Sequence, residues 1–303
     1  MALPAPLQAR LVAALDGLAL GHVRSLHATA GGCISETARV RTSAGTDLFL
    51  KWSGGEQHPG MFTAEMRSLE ALAATNTLRV PRVLAVEDSI DDHDAPRFLL
   101  LEWLEPGPAR ELSWERLGTG LASLHRAPSR DRFGADHDNF IGTLRQSNRS
   151  TADWPEFWRE RRIRPQLELA FANGWFDSGE VRRFDALLAA LDDILSPAAG
   201  DGPSLLHGDL WSGNLHVLAS GEPALIDPSS YVGHREVDLA MTHLFGGFDD
   251  AFLRAYGEAW PLEAGYERAR RPVYQLYYLL VHANLFGGSY RAATLGALRG
   301  AGF

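Results

Sequence analysis

The 303-residue chain is nearly devoid of two residue types, cysteine and lysine. Cys33 is the single cysteine, so no disulfide can form within the chain, and a reducing cytoplasm is the expected compartment. Long apolar runs are absent too. The longest near the C-terminus, residues 274–286, falls short of the ~20 needed to span a bilayer and contains His282 and Asn284. The N-terminal stretch has no basic segment ahead of its apolar residues and is broken by Arg10 and Asp16. It reads as an amphipathic helix, not a secretion signal. Positive charge is not in surplus: the net charge is −9, which argues against nucleic-acid or anionic-membrane partners. No G-x-x-x-x-G-K-[ST] sequence occurs, which excludes a P-loop. What remains, 45% hydrophobic and 22% charged, is ordinary for a globular protein long enough for two lobes.

The lysine scarcity carries information. Of 29 basic residues only Lys51 is a lysine. One position has escaped a strong bias to arginine. Either it survived by chance, or the job there needs a compact ammonium that a planar guanidinium cannot replace.

The strongest pattern runs over residues 205–227. Two short apolar segments, 215–218 and 224–226, flank a turn at Ser220-Gly221-Glu222 and predict a small hairpin. His207, Asp209 and Asn214 precede it and Asp227 follows. Four residues separate Asp209 from Asn214, the spacing of the kinase loop H-R-D-x-x-x-x-N, and Asp227 falls where a metal-binding aspartate would follow. Phosphoryl transfer needs a carboxylate beside the attacking hydroxyl and oxygen ligands for Mg²⁺. A rival reading takes His207, Asp209, Asp227, His234 and Asp238 as a hydrolytic metal cluster.

The N-terminal third decides between them. A helix over residues 3–18 places Leu7, Leu11, Leu15 and Leu18 on one stripe. Strands follow at 22–29, 37–42 and 48–52, the last carrying Lys51. A glycine turn, Gly31-Gly32-Cys33-Ile34-Ser35, joins the first two, and backbone N–H groups in such a turn can face phosphate. A helix over 61–74 sets Phe62, Met66, Leu69 and Leu72 on its inner stripe, with Glu65 beside them as the expected partner of Lys51 and Glu70 as the alternative. Strands at 82–86 and 98–101 complete a sheet. Glu102-Trp103-Leu104-Glu105-Pro106-Gly107 then reads as a hinge whose backbone would hold adenine. Beyond it the chain is mostly helical: 114–126 with Ser113 as N-cap, a helix capped by Asp153, then 178–195, 248–260 and 270–286. Residues 128–152 read as an irregular loop near the site.

Taken together these motifs resemble the fructosamine kinase (ketosamine-3-kinase) family across the whole chain. The resemblance rests on Gly31 to Ser35, Leu50-Lys51, Phe133-Gly134, Asn139-Phe140-Ile141-Gly142, Gln146 with Asn148, and Trp154 with Phe157. It rests further on His207-Gly208-Asp209-Leu210-Trp211-Ser212-Gly213-Asn214, Ile226-Asp227-Pro228, and the segments from Arg235 to Met241 and from Tyr274 through Asn284. Trp211 separates this family from aminoglycoside phosphotransferases. Leu144-Arg145 departs from the family's small residue and proline, and residues 88–95 are unusually acidic.

The resemblance implies an α+β, bilobal protein-kinase-like fold, with an antiparallel-sheet N-lobe over 1–101, a hinge over 102–107 and a mainly helical C-lobe over 108–303. It implies ATP and Mg²⁺ as cofactors and phosphorylation of the 3-hydroxyl of ketosamines. Asp209 would handle the hydroxyl proton, and Lys51 with Glu65 would neutralise the α/β phosphates. Gly31, Gly32, Cys33, Ile34, Ser35, Glu102, Trp103 and Leu104 would line the ATP site, Trp211 would stack on the sugar or pack the loop, and Asn214 and Asp227 would hold the metal. Asp238 and His207 are expected to order the catalytic loop, and His282 and Asn284 to be satisfied core groups. A kinase acting on another hydroxylated amine and a non-catalytic pseudokinase stay open. Cys33 in a glycine turn raises the further expectation of a redox-dependent homodimer.

Overall fold

The first hundred residues alternate apolar and polar side chains between short turns, and they build one antiparallel sheet. A computed structural model describes residues 3–29, 35–53, 58–89 and 96–303. The glycine turn at 31–34, with Cys33, and the acidic turn at 90–95 lie outside the described residues. Helix α1 (Ala5–Gly17) leads into β1 (Val23–Ala28), β2 (Glu36–Thr42) and β3 (Asp47–Trp52). Then come α2 (Met61–Ala74), β4 (Val83–Glu87) and β5 (Phe98–Glu102), and the five strands stand in the order β1-β2-β3-β5-β4.

Strand parity sorts the side chains to two faces. Leu48, Leu50 and Trp52 of β3, with Phe98 and Leu100 of β5, pack with Leu7, Leu11 and Leu15 of α1. The opposite parity, Leu99 and Leu101 with Phe49, packs with Phe62, Leu69 and Leu72 of α2. Lys51 shares that second parity, so its ammonium is delivered to the α2 side of the sheet.

The chain leaves β5 through residues strapped to the lower lobe. Gly107 N–H donates to Val217 O at 2.8 Å and Ala219 N–H to Glu105 O at 2.9 Å. His216 Nε2 donates to Leu104 O at 3.0 Å. Gly107 is required by this close approach: a Cβ there would stand 2.6 Å from both Ala219 Cα and Leu218 O.

The lower lobe begins with α3 (Glu111–Arg126), one turn earlier than the sequence suggests. Ser113 is not its N-cap but its third residue. Arg110 is the cap, and the Ser113 hydroxyl reaches back to accept the Arg110 N–H at 3.2 Å. Residues 128–152 are not all irregular either: β6 (Asn139–Ile141) and β7 (Leu144–Gln146) form a hairpin. Asp153 does cap α4 (Trp154–Trp158), accepting from Glu156 N–H at 2.6 Å. That helix continues through a π turn (Arg159–Ile163) into α5 (Arg164–Ala172), followed by α6 (Ser178–Leu195). Short strands β8 (Ser204–Leu205), β9 (Leu215–Val217), β10 (Pro223–Leu225) and β11 (Val232–Gly233) frame the central loops. Helices α7 (Glu236–Leu244), α8 (Asp250–Ala259), α9 (Arg271–Phe286) and α10 (Arg291–Gly300) complete the lobe. Its core is aromatic: Trp154, Trp158, Tyr274 and Tyr277 meet tilted or edge-on with ring centroids 5.1–6.2 Å apart. The architecture is bilobal and α+β, of the protein-kinase-like type. Among the described residues no helix is long and apolar enough to cross a membrane.

Gly107→Ala is expected to lose about 1–3 kcal/mol of stability, the range for forced overpacking. Chemical denaturation measures it, and an unshifted midpoint would show that the strap has room to spare.

Candidate active site

A cleft of about 800 Å³ lies between the sheet and the helical lobe. Its roof carries Lys51 from β3 and Glu65 from α2. Lys51 Nζ donates to Glu65 Oε1 and Oε2 at 2.8 and 2.7 Å and to Asp227 Oδ1 at 3.0 Å. Lys51 is only 7% exposed. Burial would lower its pKa, but Asp227 and Glu65 outweigh that and hold it above the usual lysine range. Burial in turn pushes the Glu65 carboxyl up. Lys51 opposes this, but one ammonium serves two carboxylates. Glu70 is exposed and is not the partner.

The floor is the loop between β8 and β9. Asp238, at the start of α7, accepts His207 N–H at 2.7 Å and Gly208 N–H at 2.9 Å, and meets His125 Nε2 at 3.1 Å. Gly208 has φ +84°, and a Cβ there would lie 2.1 Å from Ser229 O. Tyr278 of α9 donates its hydroxyl to Gly208 O at 2.8 Å. His207 is a neutral pin: Nδ1 accepts from Asp209 N–H at 3.2 Å and Nε2 donates to Ile226 O at 2.9 Å. Burial lowers its pKa, which keeps it so.

This frame presents Asp209 and Asn214 together. Asn214 Nδ2 donates to Asp209 O at 2.8 Å and Oδ2 at 3.1 Å, and its Oδ1 is an oxygen donor of the kind a hard cation takes. Asn214 O accepts Ile226 N–H at 3.0 Å, which draws Asp227 to the same end of the hairpin. Asp227 adopts φ +52°, a left-handed conformation that is uncommon outside glycine and clusters at functional sites. Trp211 lies flat over Gly213, where a Cβ would meet the indole at 2.2 Å.

The predicted residues that the structure describes converge, while Gly31, Gly32, Cys33 and Ile34 lie outside the described residues. Lys51, Glu65, Asp209, Trp211, Asn214, Asp227, Ser35, Glu102, Trp103 and Leu104 all line the cleft. The Glu102 carboxylate, however, is turned to Arg79 and Arg82, so only its main chain is available to a ligand. The hydrolytic cluster does not form. His207 and Asp238 are consumed by the loop, and His234 lies apart, donating to Ala198 O and stacked on Tyr274. Among the described residues no three His, Cys, Asp or Glu side chains group as a metal site. Asn284 is satisfied as expected, by Gln166. His282, expected to be a core group, instead lines the cleft, as does Phe140 of the loop expected near the site; Phe245, Phe286 and Tyr290 line it too and were not anticipated. The i, i+4, i+8 spacing of Tyr278, His282 and Phe286 was the available signal.

Fold and site together define an ATP-dependent phosphotransferase of the protein-kinase-like class. The fructosamine kinase family model matches residues 11–300. A protein of Synechocystis sp. named a probable ketoamine kinase is 40% identical over 269 residues, 89% of this chain and 87% of its own. A chloroplastic protein-ribulosamine 3-kinase of Arabidopsis thaliana is 35% identical over 280 residues, 90% of this chain and 81% of its own. A crystal structure from Thermobifida fusca, named as a candidate fructosamine-3-kinase, superimposes with a TM-score of 0.85 at 35% identity, covering 96% of this chain and 98% of that one. The chain belongs to the fructosamine kinase family.

Burial, with Asp227 and Asp238 nearby and against the Asn214 hydrogen bond, pushes the Asp209 carboxyl up to about 7. Folding therefore favours its protonated form. The benefit is full below about pH 4, where the unfolded carboxyl is also protonated, and is lost as pH rises through 7. Asp209→Asn should consequently raise Tm at pH 8 and leave it nearly unchanged at pH 4. Equal shifts at both values would contradict the assignment.

Proposed function

We propose that this protein transfers the γ-phosphoryl group of ATP to the 3-hydroxyl of ketosamines, sugar adducts of amines, and so serves deglycation. The observation that carries the reading is a single cleft holding the Lys51–Glu65–Asp227 cluster opposite the Asp209–Asn214 pair. The relatives' names supply the acceptor class. Residues 1–101 would be the nucleotide lobe, 102–107 the hinge and 108–303 the lobe for metal and acceptor. Adenine would lie against the main chain of Trp103 and Leu104, and the glycine turn from Gly31 to Ser35 would cover the phosphates.

Asp209 accepts the proton of the 3-hydroxyl as its oxygen bonds to the γ-phosphorus and the bond to the β-phosphate oxygen breaks, releasing ADP. A carboxyl near 7 is matched to that task at neutral pH. Lys51 carries its charge to the α/β phosphates with Glu65 fixing its direction. The carboxylate of Asp227 and Oδ1 of Asn214 are the hard oxygen donors that Mg²⁺ prefers, and the ion characteristically takes few protein ligands beside phosphate. Bound there, Mg²⁺ would neutralise charge on the triphosphate. A pseudokinase reading is disfavoured because Lys51, Glu65, Asp209, Asn214 and Asp227 are all present and line the cleft. Nothing in the relatives supports a Cys33-linked dimer, and Cys33 lies outside the described residues.

Two sets of variants test these roles. Asp209→Asn should lower kcat by ~10²–10⁴-fold, the range for lost acid–base catalysis; wild-type turnover would remove Asp209 from the chemistry. Lys51→Arg keeps the charge but misplaces it, and a ~1 Å error can cost ~10²-fold in kcat/KM. Glu65→Gln should share that loss, so the double variant falls well short of the product of the singles. A fully active Lys51→Arg enzyme, or strict additivity, would count against the pair.

A further inference from the structure

The outer wall of the cleft is aromatic and has no part in the phosphoryl chemistry. Trp211 meets Phe245 edge-on at 6.4 Å, and Phe245 meets His282 at 4.8 Å. His282 is 5.6 Å from Phe286 and 5.0 Å from Tyr290, centroid to centroid. Phe245 and Phe286 remain 40% and 52% exposed, large aromatic faces left open to solvent at the cleft mouth. The helical part of this wall starts at Tyr278, which is bonded to Gly208 beside Asp209, and ends at Phe286, eight residues or ~12 Å further along α9.

Acidic groups are scarce on that wall. The carboxylates lining the cleft among the described residues are Glu65, Glu102, Asp209 and Asp227. Glu65 and Asp227 hold Lys51, and Glu102 is held by Arg79 and Arg82. Asp209 is assigned to the hydroxyl. An acceptor that carries an ammonium therefore finds no carboxylate of its own there. It finds π faces, which attract cations. His282 adds an acceptor. A carbonyl can only accept, so Nδ1 must be the protonated nitrogen facing Tyr278 O at 2.7 Å, and a neutral ring then offers the Nε2 lone pair. Burial lowers the pKa of His282, which keeps the ring neutral.

We propose that Phe245, His282, Phe286 and Tyr290 form a cation subsite that seats the protonated amino nitrogen of the acceptor and the start of its alkyl arm. The proposal rests on the ketosamine reading above and names what recognises the amine end. Four bonds separate the 3-hydroxyl oxygen from that nitrogen, ~5 Å when extended at ordinary bond lengths, and Trp211, two residues on from Asp209 in the same cleft, meets Phe245 at 6.4 Å, so the aromatic wall begins beside the hydroxyl site. The arm then runs toward the exposed rings at the mouth, where a long amine can continue into solvent.

The experiment compares two acceptors with the same sugar and the same butyl arm: the ketosamine of butylamine, and the 1-O-butyl ether of the same ketose, which is uncharged. Wild-type enzyme with ATP is expected to prefer the amine in kcat/KM. Phe286→Leu and Tyr290→Leu keep an apolar side chain but remove the π face. Each should reduce the amine-over-ether preference by ~2–5-fold, the worth of one exposed cation–π contact, and the pair by about the product. A preference that is unchanged in correctly folded double variant, confirmed by its melting curve, would overturn the subsite, as would equal use of both acceptors by the wild type. Wild-type enzyme inactive on both would instead overturn the ketosamine reading, and the subsite with it.

Discussion

One buried ammonium, shared by two carboxylates from different lobes, is the constraint on which the rest of the structure depends. Lys51 belongs to the sheet, Glu65 to the helix packed on that sheet, and Asp227 to the turn after β10. Withdrawing such charges from water is expensive, and the geometry must be good to offset it. Strand parity makes it good. Leu48, Leu50 and Trp52 commit one face of β3 to α1, and that leaves Lys51 facing α2 and the cleft. A one-residue slip in β3 would reverse every one of those side chains. The hydrophobic packing of the upper lobe and the position of its working charge are thus the same fact. The cluster is also unbalanced, with two carboxylates on one ammonium. It is an environment in which a further cation is favoured, and Asp227 is its more exposed member.

The lower half of the site is held by backbone bonds instead of ion pairs. Asp238 spends both oxygens on the N–H groups of His207 and Gly208, and the glycine permits an approach to Ser229 O that no side chain would allow. This rigidity is what lets Asp209 stand in a partly buried position with its carboxyl near neutrality. A carboxyl raised in this way costs the fold some stability at high pH, where it must be charged in both states.

Much of this was legible in the residues. The helix over residues 61–74, the lysine strand and the hairpin with its flanking polar groups follow from periodicity and turn chemistry, because each element is long or bounded by glycine. The choice of Glu65 over Glu70 followed from one helical stripe. Other features had no such signal. Strands β6 and β7 are three residues each, too short for a period of two to show against the Asn and Gly around them. Ser113 looked like a cap because serine usually is one; the chain starts its helix earlier and uses the hydroxyl from inside. The five potential metal ligands were neighbours along the chain, yet backbone partners turn His207, His234 and Asp238 away from a common centre. The bond from Lys51 to Asp227 joins residues 176 positions apart and is visible only once the lobes are assembled.

The strap between lobes determines which distances in the site are rigid. Glu105 and Gly107 are hydrogen-bonded to Ala219 and Val217 of the β9 hairpin, and His216 donates to Leu104. Asn214 stands immediately before that hairpin and Asp227 soon after it. The segment over 102–107 and the side chains of Asn214 and Asp227 therefore belong to one hydrogen-bonded unit, even though they are far apart in the sequence. Lys51 reaches the same unit through an ion pair at the far end of β3, whose strand partner β5 runs directly into the strap. The distance from residues 102–107 to those two side chains is thus set by backbone bonds. The ion pair closes the circuit from above, and it is the part of that circuit that rests on side chains alone.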